Sequence, residues 1–259
     1  MAFLAEILGN LGIGAQQALA LSLLLPFFPL LLLINRRIRE RGRPPLRPVP
    51  AYQALRDYLG EATESGEAVH VSMGTGGIGT AATAESLAGL MVLEHVAEHS
   101  EATGLESIAT VSDPSLLPAA QDVMREAYAA RGYPQAYDPA SVRFISPDRA
   151  AYAAGVMDIL GHDGVGCNVM IGSFGDEFLL MSEAGGRKEV RQVGGATSPS
   201  ILPLLYVSVD HALIGEEIFA AGAYLRRRTL HLASLATQDW LRTAIILAIV
   251  IGVLARSLA

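Results

Sequence analysis

Residues 68–79 read AVHVSMGTGGIG, an apolar run that gives way to four glycines within six positions. The run Ala68–Met73 is short and glycine-bounded, which predicts a β-strand. Beyond the glycines, Ala81–His99 carries Leu87, Leu90, Met91, Val92 and Val96 near helical spacing. Gly74-Thr-Gly-Gly-Ile-Gly79 therefore lies between a strand and a helix and matches G-x-G-x-x-G in the context that motif requires. Glycines let the backbone approach a phosphate, and a helix start adds free N–H groups and partial positive charge. Gly74, Thr75, Gly76, Gly77 and Gly79 are thus candidate ligand contacts. The acidic residue expected at the end of the next strand would be Asp113, 34 residues after Gly79, a long interval for a simple dinucleotide fold.

The alternation continues outward. Ser107–Ser112, Val142–Ser146, Cys167–Ile171, Glu177–Ser182 and Val190–Val193 are expected strands. Ala51–Gly60, Ser115–Ala130, Arg149–Leu160, Ile201–Val209 and Ala212–Arg226 are expected helices. This order predicts an α/β fold: a largely parallel, Rossmann-like sheet flanked by helices, with right-handed crossovers. Asp113-Pro114, Ser146-Pro147 and Ser198-Pro199 each put a capping side chain before a proline, a pattern that starts helices. In a parallel sheet such starts share the carboxyl edge with the glycine loop, where open α/β sheets bind ligands. Ser112, Asp113, Ser146 and Ser198 therefore join the candidate cofactor-binding set. The expected ligand is a small anionic or polar molecule, and the sequence names no cofactor. Thr110–Pro118 (TVSDPSLLP) resembles Gly195–Pro203 (GATSPSILP), and Val71–Gly77 (VSMGTGG) resembles Val169–Gly175 (VMIGSFG). Diverged duplicate halves and chance recurrence of Pro-rich caps both account for this.

Residues 51–225 hold 23 Asp and Glu against 8 Lys and Arg, a balance of −15 that the chain total of −7 conceals. Nucleic-acid binding needs a basic footprint, so this body excludes it. Arg143, Arg187, Lys188 and Arg191 are its candidate anion partners. Cys167 is the sole cysteine, which rules out an internal disulfide or a thiolate metal cluster and reads as inert core. His95 and His99 are four apart, but H-V-A-E-H departs from H-E-x-x-H. No metal site is expected, and the pair is expected on a solvated, charged helix face. Asp210-His211 is expected to cap a helix.

Two apolar segments frame this body. Ala18–Ile34 carries no charge, and Thr243–Ala255 with its flanks reaches 20 residues, about what a bilayer core requires. Pro26 and Pro29 are tolerable in a membrane helix. Arg36, Arg37, Arg39, Arg41, Arg43 and Arg47 follow the first segment, and Arg226, Arg227, Arg228 and Arg242 precede the second. Positive charge on the inner side of both predicts a two-pass protein of the bacterial cell membrane, with a cytoplasmic bulk and both termini outside. The expected domains are a transmembrane helix over 1–35, a basic Pro-rich linker over 36–50, the α/β domain over 51–228, and a juxtamembrane segment with transmembrane helix over 229–259. The expected partners are the lipid bilayer and a small ligand.

The combination VHVSMGTGG, DPSLLPAAQDVMREAY, YDPASVRFISPDRAAYAAGVMD, NVMIGSFGDEFLLMSEAG, QVGGATSP and DHALIGEEIFAAGAYL resembles a family of bacterial membrane proteins whose body is classed as a domain of unknown function. The resemblance covers roughly residues 50–255 and implies no catalytic or cofactor residue. Gly215 and Ala220–Ala223 are small enough for close helix approach, which predicts a homo-oligomeric scaffold or organising and sensing protein. The alternative is a membrane-tethered enzyme or regulator binding a nucleotide or small anion at Gly74–Gly79.

Overall fold

The computed structural model describes residues 15–258 apart from 43 and 131. Arg43 of the basic collar and residues 1–14 of the first apolar segment lie outside the described residues. The chain divides into two units, residues 47–226 and the flanking 1–46 with 227–259.

Unit 47–226 is built on six strands, β1 (Ala68–Gly74), β2 (Ser107–Val111), β3 (Val142–Phe144), β4 (Val165–Ser173), β5 (Arg191–Ala196) and β6 (His211–Ile214). They pair in the order β3-β2-β1-β4-β5-β6, every pairing parallel. This is the doubly wound arrangement in which the chain reverses direction between the two central strands. β1 and β2 are buried along their whole length. A strand covered on both faces reads as a continuous apolar run, which is why the sequence marks it.

Helices α2 (Pro50–Ser65), α3 (Thr83–Thr103), α4 (Leu117–Ala130), α5 (Arg149–His162), α6 (Glu177–Arg187), α7 (Leu202–Ser208) and α8 (Ala221–Tyr224) surround the sheet; α1 (Ala15–Arg41) and α9 (Thr229–Leu258) form the other unit. α3 packs so closely on the central strands that a Cβ at Gly89 would stand 2.6 Å from the Ile171 carbonyl. On the opposite face, Tyr152 and Val156 of α5 and Phe178 and Met181 of α6 pack with Ile108 and Met170 of the sheet.

Two expected elements change type. Glu177–Ser182 is helical, because Glu177, Phe178, Met181, Ser182 and Gly185 form one buried stripe at helical spacing. The sixth strand is instead His211–Ile214, at the head of the expected helix Ala212–Arg226, whose remainder is a 3-10 helix over Gly215–Ala220 and the short α8. Asp210 caps no helix; its carboxylate accepts from Gln192 N at 2.7 Å and pins the start of β5. Ala220–Ala223 are buried inside the unit, so they form no outward assembly face.

The similar segments fall at equivalent places. VSMGTGG and VMIGSFG contain the ends of the neighbouring strands β1 and β4, paired Val71 to Val169. TVSDPSLLP and GATSPSILP begin with the last two residues of β2 and β5, and Leu117 and Leu202, at the same place in each, open α4 and α7. The sheet thus consists of two halves with matching sequence at matching positions.

Where the chain enters and leaves this unit, it is clasped. Arg47 Nη2 donates to Glu217 Oε1 at 2.8 Å, and Tyr224 OH to the Arg47 carbonyl at 2.7 Å. Tyr52 OH donates to the Glu217 carbonyl at 2.7 Å, and Arg56 donates to the Tyr224 carbonyl. The Tyr52 and Tyr224 rings stack with centroids 5.2 Å apart. Burial, reinforced by the Glu217 charge, pushes the Tyr52 phenol well above its usual range. Arg226 of the second basic collar pairs with Glu94 and Glu98 on α3, so its charge is committed within the unit.

In the other unit α1 and α9 pack along each other. α1 contains Pro26 and Pro29 and runs on through the basic residues to Arg41. Among the described residues one helix, Thr229–Leu254, is long and apolar enough to cross a membrane.

Candidate functional site

The crevice lies at the carboxyl ends of β1 and β4, where the sheet reverses direction. Gly74 closes β1 with φ of +72°, and a Cβ there would stand 2.2 Å from the Ser173 carbonyl, so only glycine fits. Thr75 N donates to that carbonyl at 2.8 Å, tying the two loops together.

Beyond this point the loop commits some of its donors to its neighbours, and Gly76 N and Gly77 N carry no bond to the protein among the described residues. Ile78 N donates to Ser115 Oγ and Gly79 N to Thr83 Oγ1, both at 2.9 Å, and Ala82 N to Thr80 Oγ1 at 3.2 Å. α3 begins only at Thr83, with Glu85 in its first turn, where a carboxylate already meets the helix dipole. Thr197 Oγ1 donates to Glu85 Oε1 at 2.7 Å. Asp113 lies against Gly77, whose Cβ would meet Asp113 Oδ2 at 2.4 Å. The other oxygen, Oδ1, accepts from Ser115 N at 2.8 Å and Ser115 Oγ at 2.6 Å. A protein carboxylate thus occupies the flank of the loop that a phosphate cradle leaves open.

On the β4 side stands Glu177, the first residue of α6, only 4 % exposed. Its Oε1 accepts from Gly175 N at 2.7 Å and lies 3.5 Å from Thr75 Oγ1. Its Oε2 is buried without a partner. Leaving a buried carboxylate oxygen unmatched costs about 1–3 kcal/mol or more, so such an atom calls for a partner such as water, an ion or a ligand group. An ideal Cβ on Gly175 would lie 2.6 Å from Arg149 Nη1 and 2.8 Å from Glu177 Oε2, so those atoms are at most 5.4 Å apart. No ion pair joins them. A side chain at position 175 would therefore collide with both the Arg149 guanidinium and the unmatched Glu177 oxygen, so the close approach of these groups requires glycine.

A family model described as a domain of unknown function, DUF6754, matches residues 13–259. The chain belongs to this family. No curated protein and no solved structure matches it. The match takes in α1 as well as α9, so both apolar helices are part of the DUF6754 unit.

Beneath the loop of this DUF6754 chain runs a buried polar chain that crosses four strands. Gly74 N donates to Ser72 Oγ at 3.4 Å; Ser72 Oγ is 2.7 Å from Tyr152 OH; Tyr152 OH is 3.0 Å from Thr110 Oγ1. Thr110 Oγ1 is 2.9 Å from His70 Nε2, and His70 Nδ1 is 2.8 Å from Asn168 Oδ1. Asn168 Nδ2 donates to Gln192 Oε1 at 3.2 Å, and Gln192 Nε2 to the Ser182 carbonyl at 2.8 Å. A carbonyl can only accept, so Ser182 fixes the Gln192 amide, which fixes Asn168, which makes His70 Nδ1 the donor. His70 Nε2 then accepts from Thr110, Thr110 from Tyr152, and Tyr152 from Ser72. Every hydrogen bond points the same way, from the glycine loop to α6. Burial brings the His70 imidazole down to about 4, partly offset by its Asn168 bond, and pushes the Tyr152 phenol up to about 12.

The structure gathers Gly74, Thr75, Gly76, Gly77 and Gly79 with Ser112 and Asp113 on this edge. Ser112 Oγ donates to the Ser146 carbonyl at 2.7 Å, which brings the β2 and β3 loops together. The three X-Pro pairs are turns ahead of the helices and cap none of them. Asp148 caps α5, accepting from Ala151 N at 2.9 Å, while Ser146 Oγ accepts from Asp148 N at 3.1 Å. α4 and α7 start three residues beyond Pro114 and Pro199, at Leu117 and Leu202. Ser198 Oγ bonds Ser200 Oγ at 2.9 Å.

Away from the crevice, His95 and His99 lie on a half-buried part of α3 beside the Arg226 ion pairs, and burial brings His95 down to about 4. That helix face is not a solvated one. Among the described residues no three His, Cys, Asp or Glu side chains could hold a metal. Cys167 is fully buried, and burial pushes its thiol up to about 12, which makes it a poor nucleophile. Glu177, Arg149 and Glu85 were not marked as candidates by their spacing. The signal that bears on Glu177 is the similarity of VMIGSFG to the glycine loop, since Gly175 and Glu177 stand just where that segment ends.

Proposed function

We propose that this chain is a membrane-anchored sensor whose α/β domain binds a small polar molecule in the crevice between the β1 and β4 loops. The observation that carries the reading is Glu177, a carboxylate buried to 4 % exposure with one oxygen unmatched at the switch point of a doubly wound sheet. The assembly reading drew on small residues that pack inside the protomer, and the phosphate reading meets a protein carboxylate, Asp113, lying against Gly77. Sensing of a polar ligand is therefore favoured over scaffolding and over nucleotide binding.

The anchor is a pair of membrane crossings by α1 and α9 with the domain on the cytoplasmic side. Supporting it are the exposed Leu24, Leu25, Phe28, Leu32 and Leu33 on α1, the exposed Ile245–Leu247 and Ile249–Ile251 on α9, and the arginines at their inner ends. Two measurements test the whole reading. Deproteinised cell extract raises the melting temperature of the detergent-solubilised wild type and leaves Glu177→Ala unmoved; an equal response in both proteins removes the sensor. In Cys167→Ser protein, a membrane-impermeant maleimide labels Ser257→Cys on intact cells but reaches Pro45→Cys only after lysis. The reverse pattern overturns the topology.

A further inference from the structure

We infer that the arginines closing α1 form a ring that binds the phosphates of anionic lipid headgroups. This rests on the anchor reading and names the chemistry that the anchor recognises. The exposed apolar side chains of α1 end at Leu32 and Leu33, and Arg36, Arg37, Arg39 and Arg41 follow within the same helix. Arg36 is held by Glu40 at 2.8 Å. Arg37, Arg39 and Arg41 are exposed and take no ion-pair or hydrogen-bond partner among the described residues. Four arginines against the single Glu40 give Arg36–Arg41 a net charge of +3.

Helix geometry sets which way these charges face. Residues advance by about 100° around the axis, which puts Arg37 and Arg41 on one side and Arg39 nearly opposite. Ile38, buried at 7 % exposure, marks the packed side between them. The arginines flank that side and encircle the rest of the helix. A folded protein partner or a single free anion meets one face, whereas headgroups surround a helix wherever it is open. The depth matches as well. Arg36 to Arg41 span about 7.5 Å along the axis, and the headgroup layer on each side of the bilayer core is about 5–7.5 Å thick. The guanidinium fork fits two phosphate oxygens, and each such charge favours an anionic surface about fivefold.

Arginines that serve only to orient the chain during insertion would hold no lipid in preference to another, and the experiment separates the two roles. Detergent-solubilised full-length protein is mixed with equimolar phosphatidylglycerol and phosphatidylcholine, and bound lipids are counted by native mass spectrometry. On the wild type, phosphatidylglycerol adducts should exceed phosphatidylcholine adducts by about fivefold or more. The triple variant Arg37→Gln, Arg39→Gln, Arg41→Gln removes no ion pair or hydrogen bond and keeps good helix formers, so its Tm is unchanged while its lipid ratio falls close to one. Equal adducts on the wild type, or a preference that survives in the triple variant, overturns the inference and leaves the arginines as orientation signals. Displacement of the lipid by millimolar inorganic phosphate overturns it too, the ligand then being a free anion. Carbonate extraction of the membranes reads the anchor separately. Release of the wild type removes the anchor and this inference together, whereas retention without lipid preference removes this inference alone.

Discussion

Replacing His70 with glutamine should flatten the acid side of the stability profile, and the size of the effect follows from the structure. The imidazole is fully buried between Thr110 and Asn168 and brought down to about 4, from about 6.5 in the unfolded chain. Between those values the unfolded chain binds a proton that the folded chain refuses, so stability falls as pH falls. The contribution is fully present above pH 6.5 and lost as pH drops toward 4. Linkage gives a loss of about 0.2 kcal/mol at pH 7, about 0.8 at pH 6 and about 2 at pH 5 from this one residue. His95, also brought down to about 4, adds in the same direction in both proteins, so the difference between them isolates His70. Glutamine offers an amide in place of the ring and does not titrate. Urea unfolding followed by tyrosine near-UV circular dichroism reports the domain, because all eight tyrosines lie within it. Between pH 7 and 5 the wild type should lose about 2 kcal/mol more than His70→Gln, roughly 1 M in urea midpoint. Equal losses would show that His70 titrates normally and that the one-way chain through a neutral imidazole is wrong.

Tyr152→Phe removes the hydroxyl that joins Ser72 to Thr110 and should destabilise the domain by about 1–3 kcal/mol, read by the same unfolding assay; no change would mean that the chain is broken there. Glu189 holds φ of 59° in the turn after α6, where Val190 N returns to the Gly185 carbonyl at 3.0 Å. Glu189→Gly relieves that left-handed strain and should stabilise by about 0.5–1 kcal/mol, visible as a higher Tm. Cys167 should resist maleimide until denaturant unfolds the sheet, and rapid labelling of the native protein would contradict its burial.

Five of the six strands are legible; β1 and β2, buried along their whole length, leave short apolar runs, and β3, β4 and β5 show through their alternation with helical segments. The sixth is not, since HALI is four residues long and Gly215 ends it before any period develops. EFLLMS misleads for a related reason: six apolar-rich residues fit a strand or a helix equally, and the Gly185-Gly186 pair looks like a stop inside what is one helix. The glycine loop is visible in sequence, but the use of its N–H groups is not, because Ser115 reaches Ile78 from 37 positions away. The polar chain is still less visible. His70 and Asn168 are 98 residues apart, and only the parallel register of β1 and β4 brings them side by side. The recurring segments were the better guide, since they mark the two halves of the sheet and hence the crevice between them.

The clasp formed by Arg47, Tyr52, Glu217 and Tyr224 has a mechanical consequence. Any tension carried by the chain between α1 and α9 arrives at Arg47 and departs near Tyr224, two points already hydrogen-bonded to each other. Separating those points loads the stacked rings and their polar contacts, together with the Arg226 pairs to α3, before the six strands. The two ends of the domain are thus joined in a closed loop of side-chain contacts, so pulling them apart opens the clasp before it can shear the sheet.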